Sequence, residues 1–173
     1  MLIFDGHLDL AYNALFHRRD LTKPVYELRD REDPRPLGPS HPDSLRSRKR
    51  PASPARGTPT VAFPELRKGH IGIFMSTIMA RVQVSGDQLD DGMRTQQAAH
   101  AIGQSHLHYY KALQEEGYLR FITDSRTLNE IVTEWGNPKK ETPFGLVLSM
   151  ESADPILDPN QVQWWFEQGL RSV

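Results

Sequence analysis

The sequence contains no cysteine among its 173 residues. Disulfide bonds and thiolate metal sites are therefore excluded, so any metal ion must be held by histidine and carboxylate side chains. No apolar run approaches the roughly 20 residues that span a bilayer, and no charged segment followed by an apolar core opens the chain. We therefore expect a soluble, cytoplasmic protein with no membrane partner.

An excess of charge of one sign is also lacking, since the formal net charge is −1. No global field favours nucleic acid, and we expect no nucleic-acid partner. Three motifs are missing as well, namely G-x-S-x-G, G-x-G-x-x-G and G-x-x-x-x-G-K-[ST]. Their absence leaves nucleophilic-serine chemistry and nucleotide binding with little support.

Four short apolar segments are typical of strands: "LIF" at the start, "HIGIFMSTIMARV" at 70–82, "FGLVLSM" at 144–150 and "GLRSV" at 169–173. The second and third are apolar enough to be buried on both faces. Helical patterns lie between the second, third and fourth segments, over about 88–116, 124–135 and 158–169. The expected caps are Gly117 after the first helix, Asp124 or Ser125 before the second and Asp158 before the third. Strands that alternate with helices predict an α/β fold with a mainly parallel sheet.

Residues 29–60 interrupt this pattern, because they hold seven of the 13 prolines and almost no apolar side chains. Such a composition does not build a core, and it predicts a Pro/Arg-rich surface insertion with little regular structure. The segment is locally basic at residues 46–50. A solvated loop is favoured over an anion-binding or nucleic-acid contact, because no aromatic residue is interleaved for base stacking.

The opening stretch "MLIFDGHLDLAYN" carries two carboxylates and an imidazole at alternate positions. In a strand, Asp5, His7 and Asp9 would share one face. His7 and Asp9 then offer a nitrogen and an oxygen donor, which suits Zn²⁺ or a similar divalent ion. Asp5 is a candidate for orienting the ring of His7 from behind. A strand that runs out into a solvated loop is the alternative.

Glu151 directly follows the third apolar segment, and chemistry in α/β folds collects at the carboxyl ends of strands. His7, Asp9 and Glu151 together are therefore the predicted metal ligands. The histidines on the long helix, His100, His106 and His108, are interpreted as surface residues, because their spacing does not place two donors beside one ion. His17, His41 and His70 are likewise not expected to be ligands, and Trp164 and Trp165 are expected to pack a helix onto the sheet.

Four segments together resemble the renal, or membrane, dipeptidase family (peptidase family M19). "DGHLDL" resembles the opening of that family, and "FPELRKGHIGIFMSTIMA" is similar to the approach to its second strand. "LSMESADPI" resembles the segment with the metal-bridging glutamate, although Ser152 stands where glycine is usual. "WWFEQGLRSV" is similar to the helix and strand that follow.

The resemblance implies that the chain forms the first half of a (β/α)₈ barrel, since complete barrels need about 250 residues. It also implies that His7 and Asp9 bind one zinc ion and that Glu151 bridges it to a second. The full-length protein would be a zinc-dependent dipeptidase that hydrolyses dipeptides with a metal-bound hydroxide. The remaining ligands and the acid/base would lie outside these residues. We therefore expect no catalytic residue and no useful activity in the 173-residue chain alone.

Two alternatives stay open at this point. One is a non-catalytic half barrel that binds a partner, with a homo-oligomer among the arrangements that would cover an open sheet edge. The other is a different metal-dependent barrel hydrolase. Most of those open with His-x-His, so Asp9 argues against that class.

Overall fold

The computed structural model describes residues 1–32, 58–83 and 92–173. Two compact units are present, one made of Met1–Arg18 and Gly69–Val173 and the other of Arg19–Lys68. None of the helices in the described ranges is long and apolar enough to cross a membrane.

A parallel five-stranded sheet forms the centre of the first unit. Its strands are β1 (Ile3–Leu8), β2 (Ile71–Met79), β3 (Leu119–Phe121), β4 (Phe144–Glu151) and β5 (Leu170–Ser172). The order is β1-β2-β4-β3, and β5 pairs with the same edge of β4 farther along the strand. The four predicted strands and their order β1-β2-β4-β5 are confirmed, whereas the sequence analysis missed β3, whose three residues are too few for a recognisable period.

Helices connect the strands of this unit, which confirms the alternating α/β pattern. They are α1 (Leu10–Leu15), α4 (Gln96–Glu115), α5 (Ser125–Trp135) and α6 (Val162–Glu167), the last preceded by a 3₁₀ turn (Pro159–Gln161). Asp124 and Asp158 accept hydrogen bonds from the first turns that follow them, as the sequence predicts. The central strands β2 and β4 are buried over most of their length, so they read as nearly continuous apolar runs.

The long helix α4 is shorter than the sequence analysis expects. It begins at Gln96 rather than near residue 88, because the Thr95 side chain accepts a hydrogen bond from the Ala98 amide and caps the helix there. Residues 84–91 lie outside the described ranges. The predicted end is confirmed, since Gly117 follows the helix with φ of 80°.

Of the two tryptophans on α6, Trp165 is fully buried, and its ring lies edge-on to that of His100 on α4, with centroids 6.1 Å apart. Trp164 is 39% exposed, so the expected packing onto the sheet is wrong for that residue. Adjacent helical positions point about 100° apart, so only one of the pair is turned into the core.

The second unit contains α2 (Val25–Glu32) and α3 (Phe63–Lys68). The Val25 amide donates to Glu65 at 3.1 Å, and the Phe63 amide donates to the Leu21 carbonyl at 2.9 Å. Residues 29–32 form the last turn of α2, so the prediction of a loop from residue 29 is wrong for these residues. The rest of that prediction falls largely on residues 33–57, outside the described ranges.

Candidate metal centre

Three side chains that can bind a metal ion meet at the end of the sheet where the carboxyl ends of its parallel strands lie. Glu151 is the last residue of β4 and lies beside Met79, the last residue of β2. His7 is near the end of β1, and Asp9 is the residue that precedes α1. Parallel strands bring their carboxyl ends to one edge, so residues far apart in sequence become neighbours there.

A bulge in β1 helps to place His7. Asp5 pairs with Phe74 and Leu8 pairs with Ser76, so two residues of β1 stand opposite one residue of β2. The extra residue redirects the side chain, as bulges do beside functional sites. The expected simple alternation of Asp5, His7 and Asp9 is therefore wrong in detail, because the bulge breaks the period and Asp9 lies beyond the strand.

The three side chains nevertheless converge. The Nε2 atom of His7 lies 3.4 Å from Oδ1 of Asp9 and 3.8 Å from Oε2 of Glu151. One donor atom from each residue lies within 4.8 Å of the others. The side chains of His7 and Glu151 are 60% and 51% exposed, so the group is open to solvent and to a substrate.

These donors fit a divalent ion such as zinc. Ligand bonds of about 2.1 Å in tetrahedral geometry place two donor atoms about 3.4 Å apart, which is the separation of His7 and Asp9. One imidazole and two carboxylates also make a three-ligand set, and catalytic zinc sites keep a fourth position open. The two negative charges would offset the charge of the ion.

Hydrogen bonds from neighbouring groups hold the backbone of His7 and the carboxylate of Asp9 in place. Asp5 accepts a hydrogen bond from the His7 backbone amide at 3.0 Å, so it supports the chain at His7 rather than the imidazole. The Thr77 hydroxyl donates to Oδ1 of Asp9. Thr77 was not among the predicted residues, although the polar pair Ser76-Thr77 inside an otherwise apolar strand was a signal of its role.

His106 is the clearest correction to the histidine assignments. It was expected on the helix surface, but it is 2% exposed and its Nδ1 accepts a hydrogen bond from the Met79 amide at 3.3 Å. Burial lowers the pKa of His106 to about 4, against a smaller opposing effect of Asp9. The imidazole is therefore neutral at pH 7. His108, in contrast, is exposed as expected.

A small cavity adjoins this corner of the sheet. Its volume is about 140 Å³, and its lining includes Tyr12 of α1, Phe16 directly after that helix, Met79 of β2, and Ile102 and His106 of α4. Tyr12 and Phe16 stack with ring centroids 4.8 Å apart. Mostly apolar walls with one imidazole suit a small apolar group.

Comparison with solved structures finds a similar fold in two metallopeptidases. The chain aligns over 99% of its length with dipeptidase AC, a metallopeptidase of family M19, at a TM-score of 0.56 and 15% identity. It aligns equally far with a metallopeptidase from Rhodobacter sphaeroides liganded with a phosphinate mimic of the dipeptide L-Ala-D-Ala, at a TM-score of 0.60 and 12% identity. The chain shares the fold of part of these two proteins.

The match covers 41% and 44% of those two proteins, so the chain spans less than half of their length. The expected architecture, a half (β/α)₈ barrel of parallel strands that alternate with helices, is confirmed. No protein-family model matches the sequence. No curated protein matches it either. At these low identities the likeness concerns the fold, and the chemistry has to be argued from the side chains.

Proposed function

We propose that the chain is part of a metal-dependent dipeptidase whose first metal ion is held by His7, Asp9 and Glu151. The observation that carries this proposal is the convergence of one imidazole and two carboxylates within 4.8 Å at the carboxyl edge of the sheet. In barrels of this kind the catalytic residues come from that edge.

The proposed roles follow from the chemistry of the three donors. His7 and Asp9 hold the ion from one side, and Glu151 holds it from the neighbouring strand. Glu151 accepts no hydrogen bond from the described residues, which leaves its second carboxylate oxygen for a second ion. A bound divalent ion supplies Lewis acidity toward a peptide carbonyl and lowers the pKa of a coordinated water. Zinc is the ion that the donor set suits best.

The dipeptide substrate is supported by the two solved proteins, one named a dipeptidase and the other liganded with a dipeptide mimic. Because the chain spans less than half of those proteins, we propose that the second ion's ligands and the acid/base come from further polypeptide. The 173 residues are expected to bind one ion weakly and to show no useful dipeptide hydrolysis.

Zinc titration of the chain by competition with a chromophoric chelator tests the ligand assignment. We expect one ion per chain, and at least about tenfold weaker binding in Glu151→Gln, because the amide keeps the shape of the glutamate but removes its charge. Glu141→Gln is the matched control, since Glu141 is exposed and is not part of the cluster. A chain that binds no zinc, or binds it equally well in both variants, contradicts the proposed site.

Activity is tested on a chain extended through the remaining strands of the barrel. Dipeptide hydrolysis is expected, with loss on chelation and a decrease of about 10³-fold in Glu151→Gln, which corresponds to about 4 kcal/mol of transition-state stabilisation. Hydrolysis that survives both treatments overturns the enzyme assignment. A partner-binding half barrel would then be the better account.

A further inference from the structure

Tyr110 places its hydroxyl in the fully buried space between α4 and the end of the sheet that carries the site. The hydroxyl donates to the Thr77 carbonyl at 2.8 Å and accepts from the Ala11 amide at 3.1 Å. It also lies 2.8 Å from the Ser76 hydroxyl. A buried tyrosine needs one polar partner for its hydroxyl, and this one has three on two separate segments.

The second hydroxyl of this group extends the contacts to β1. Ser76 Oγ donates to the Leu8 carbonyl at 2.5 Å. Leu8 and Ala11 stand on either side of Asp9, so the Ser76–Tyr110 pair is attached to both ends of the turn that carries this carboxylate. Each hydroxyl hydrogen is directed at a backbone carbonyl, and the two oxygens lie within hydrogen-bond distance of each other, so the pair forms one connected group rather than two independent bonds.

The same network reaches the strand that supports Asp9. Tyr110 is bonded to the backbone of Thr77, and the Thr77 side chain donates to Asp9. One hydroxyl on α4 is therefore tied to both segments that set the position of a proposed ligand: the turn after β1 and the end of β2. Burial raises the pKa of Tyr110, so the hydroxyl keeps its proton over the working range of pH.

We propose that Tyr110 is a positioning residue for the metal site, in that its hydroxyl holds the Asp9 turn and the end of β2 at the separation that lets Asp9 and His7 bind one ion. This inference rests on the proposed metal site. It assigns to the long helix, which contributes no ligand, a part in metal affinity that goes beyond packing. Ligand sites need such support because the donors must be held to within about half an ångström.

Tyr110→Phe tests the proposal, since it removes the hydroxyl and leaves the ring in place. Zinc affinity of the chain is expected to fall by about tenfold or more, as it does when groups behind a metal ligand are removed. The visible absorption of the Co²⁺-substituted chain should change as well, because the donors around the ion move. Loss of packing alone would not alter that spectrum.

Ile131→Val is the stability-matched control. Ile131 is fully buried against Gly145 near the amino end of β4, and its truncation destabilises the fold without touching the Tyr110 network. Its zinc affinity and Co²⁺ spectrum are expected to equal those of the unsubstituted chain. Ser76→Ala, which removes only the bond to Leu8 and the contact with Tyr110, should weaken zinc binding severalfold and carries the test if Tyr110→Phe does not fold.

The outcomes distinguish a failure of the positioning role of Tyr110 from a failure of the metal site. Unchanged zinc affinity in Tyr110→Phe or, if that variant does not fold, in Ser76→Ala overturns the positioning role while the metal site stands. An equal loss of affinity in Ile131→Val overturns it too, since general destabilisation would then explain the effect. Absence of zinc binding by the unsubstituted chain overturns the metal site itself, and this inference with it.

Discussion

The two ends of the sheet are built on different principles. Toward the amino end, apolar side chains pack closely: the Phe144 ring lies 5.8 Å from that of Phe74 and 5.4 Å from that of Trp135, and Gly72 leaves room for the indole. The carboxyl end instead holds hydroxyls, carboxylates and imidazoles joined by hydrogen bonds. The difference indicates that close packing at one end supplies stability, while the other end tolerates polar groups that the chemistry needs.

The free energy of unfolding should depend on pH through His106, which lies at the polar end of the sheet. Its pKa is lower in the folded chain, at about 4, than the ordinary 6.5, so the unfolded chain binds more protons between these values. The contribution of the neutral, buried His106 to the unfolding free energy is therefore complete above pH 6.5, and it is lost as pH falls toward 4. The loss amounts to about 2 kcal/mol at pH 5 and about 3 kcal/mol in full, since a tenfold change in an equilibrium constant is worth about 1.4 kcal/mol.

Urea unfolding at pH 7.5 and pH 5 measures this effect. His106→Asn is the comparison, because an amide oxygen can accept the bond from the Met79 amide without titrating. The difference in unfolding free energy between the two pH values should be smaller in the variant by about 2 kcal/mol. Equal pH dependence in both chains would show that His106 is not responsible.

The packed end should respond to added volume. A Cβ atom at Gly72 would overlap the Trp135 ring and would lie 2.5 Å from the Leu2 side chain. Gly72→Ala is therefore expected to lower the unfolding free energy by about 2 kcal/mol, a typical cost of overpacking, with zinc affinity unchanged. Chemical denaturation and zinc titration of the same preparation measure both quantities.

Gly136→Ala is the control for that substitution, because Gly136 is exposed and has a helical φ of −60°. A Cβ atom there would meet only the Thr133 carbonyl oxygen, at 3.1 Å, so the change in unfolding free energy should be well below that of Gly72→Ala. If Gly72→Ala weakened zinc binding as much as it weakened the fold, the proposed division between the two ends would be wrong.

The smallest effect is expected at Ser152, the residue after Glu151. Its φ is 68°, a left-handed conformation that favours glycine, and its hydroxyl accepts from the Asp154 amide at 3.2 Å. Ser152→Gly should raise the unfolding free energy by less than about 1 kcal/mol. Relief of the backbone strain at residue 152 slightly exceeds two costs, the lost hydrogen bond to the Asp154 amide and the higher entropy of the unfolded chain. Ser152→Ala, which keeps the strain and loses the bond, should lower it; a decrease in both variants would contradict this account.

The parts of the fold that follow from local pattern were accessible from the sequence. Apolar runs located four of the five strands, and Asp124 and Asp158 marked helix starts because a cap depends on neighbours only a few residues away. His7, Asp9 and Glu151 were also within reach, since the ends of parallel strands meet at one edge. The alternate positions of His7 and Asp9 in the sequence predicted both residues, although a bulge and a turn, not a regular strand, place them.

The supporting groups were not accessible in the same way. Thr77, His106 and Tyr110 acquire their roles from contacts between α4, β2 and the turn after β1, which no local pattern encodes. His106 did leave a trace, because it continues the spacing of buried residues Ala99, Gly103, Tyr110 and Leu113 along one face of α4. The surface assignment of His106 was wrong because the spacing of the histidines was compared with that of other possible ligands and not with the buried residues of this face.

The bulge at Gly6 and His7 also bears on how the protein behaves at high concentration. In the described part of the chain β1 pairs with β2 alone, so its other side presents free backbone donors and acceptors, beside the half-exposed Ile3 and Phe4. A regular six-residue edge of this kind is a template for strand addition and fibril growth. Register shifts between Ile3 and Phe4 and between Asp5 and Leu8 interrupt that edge, so the irregularity that places His7 should also limit self-association.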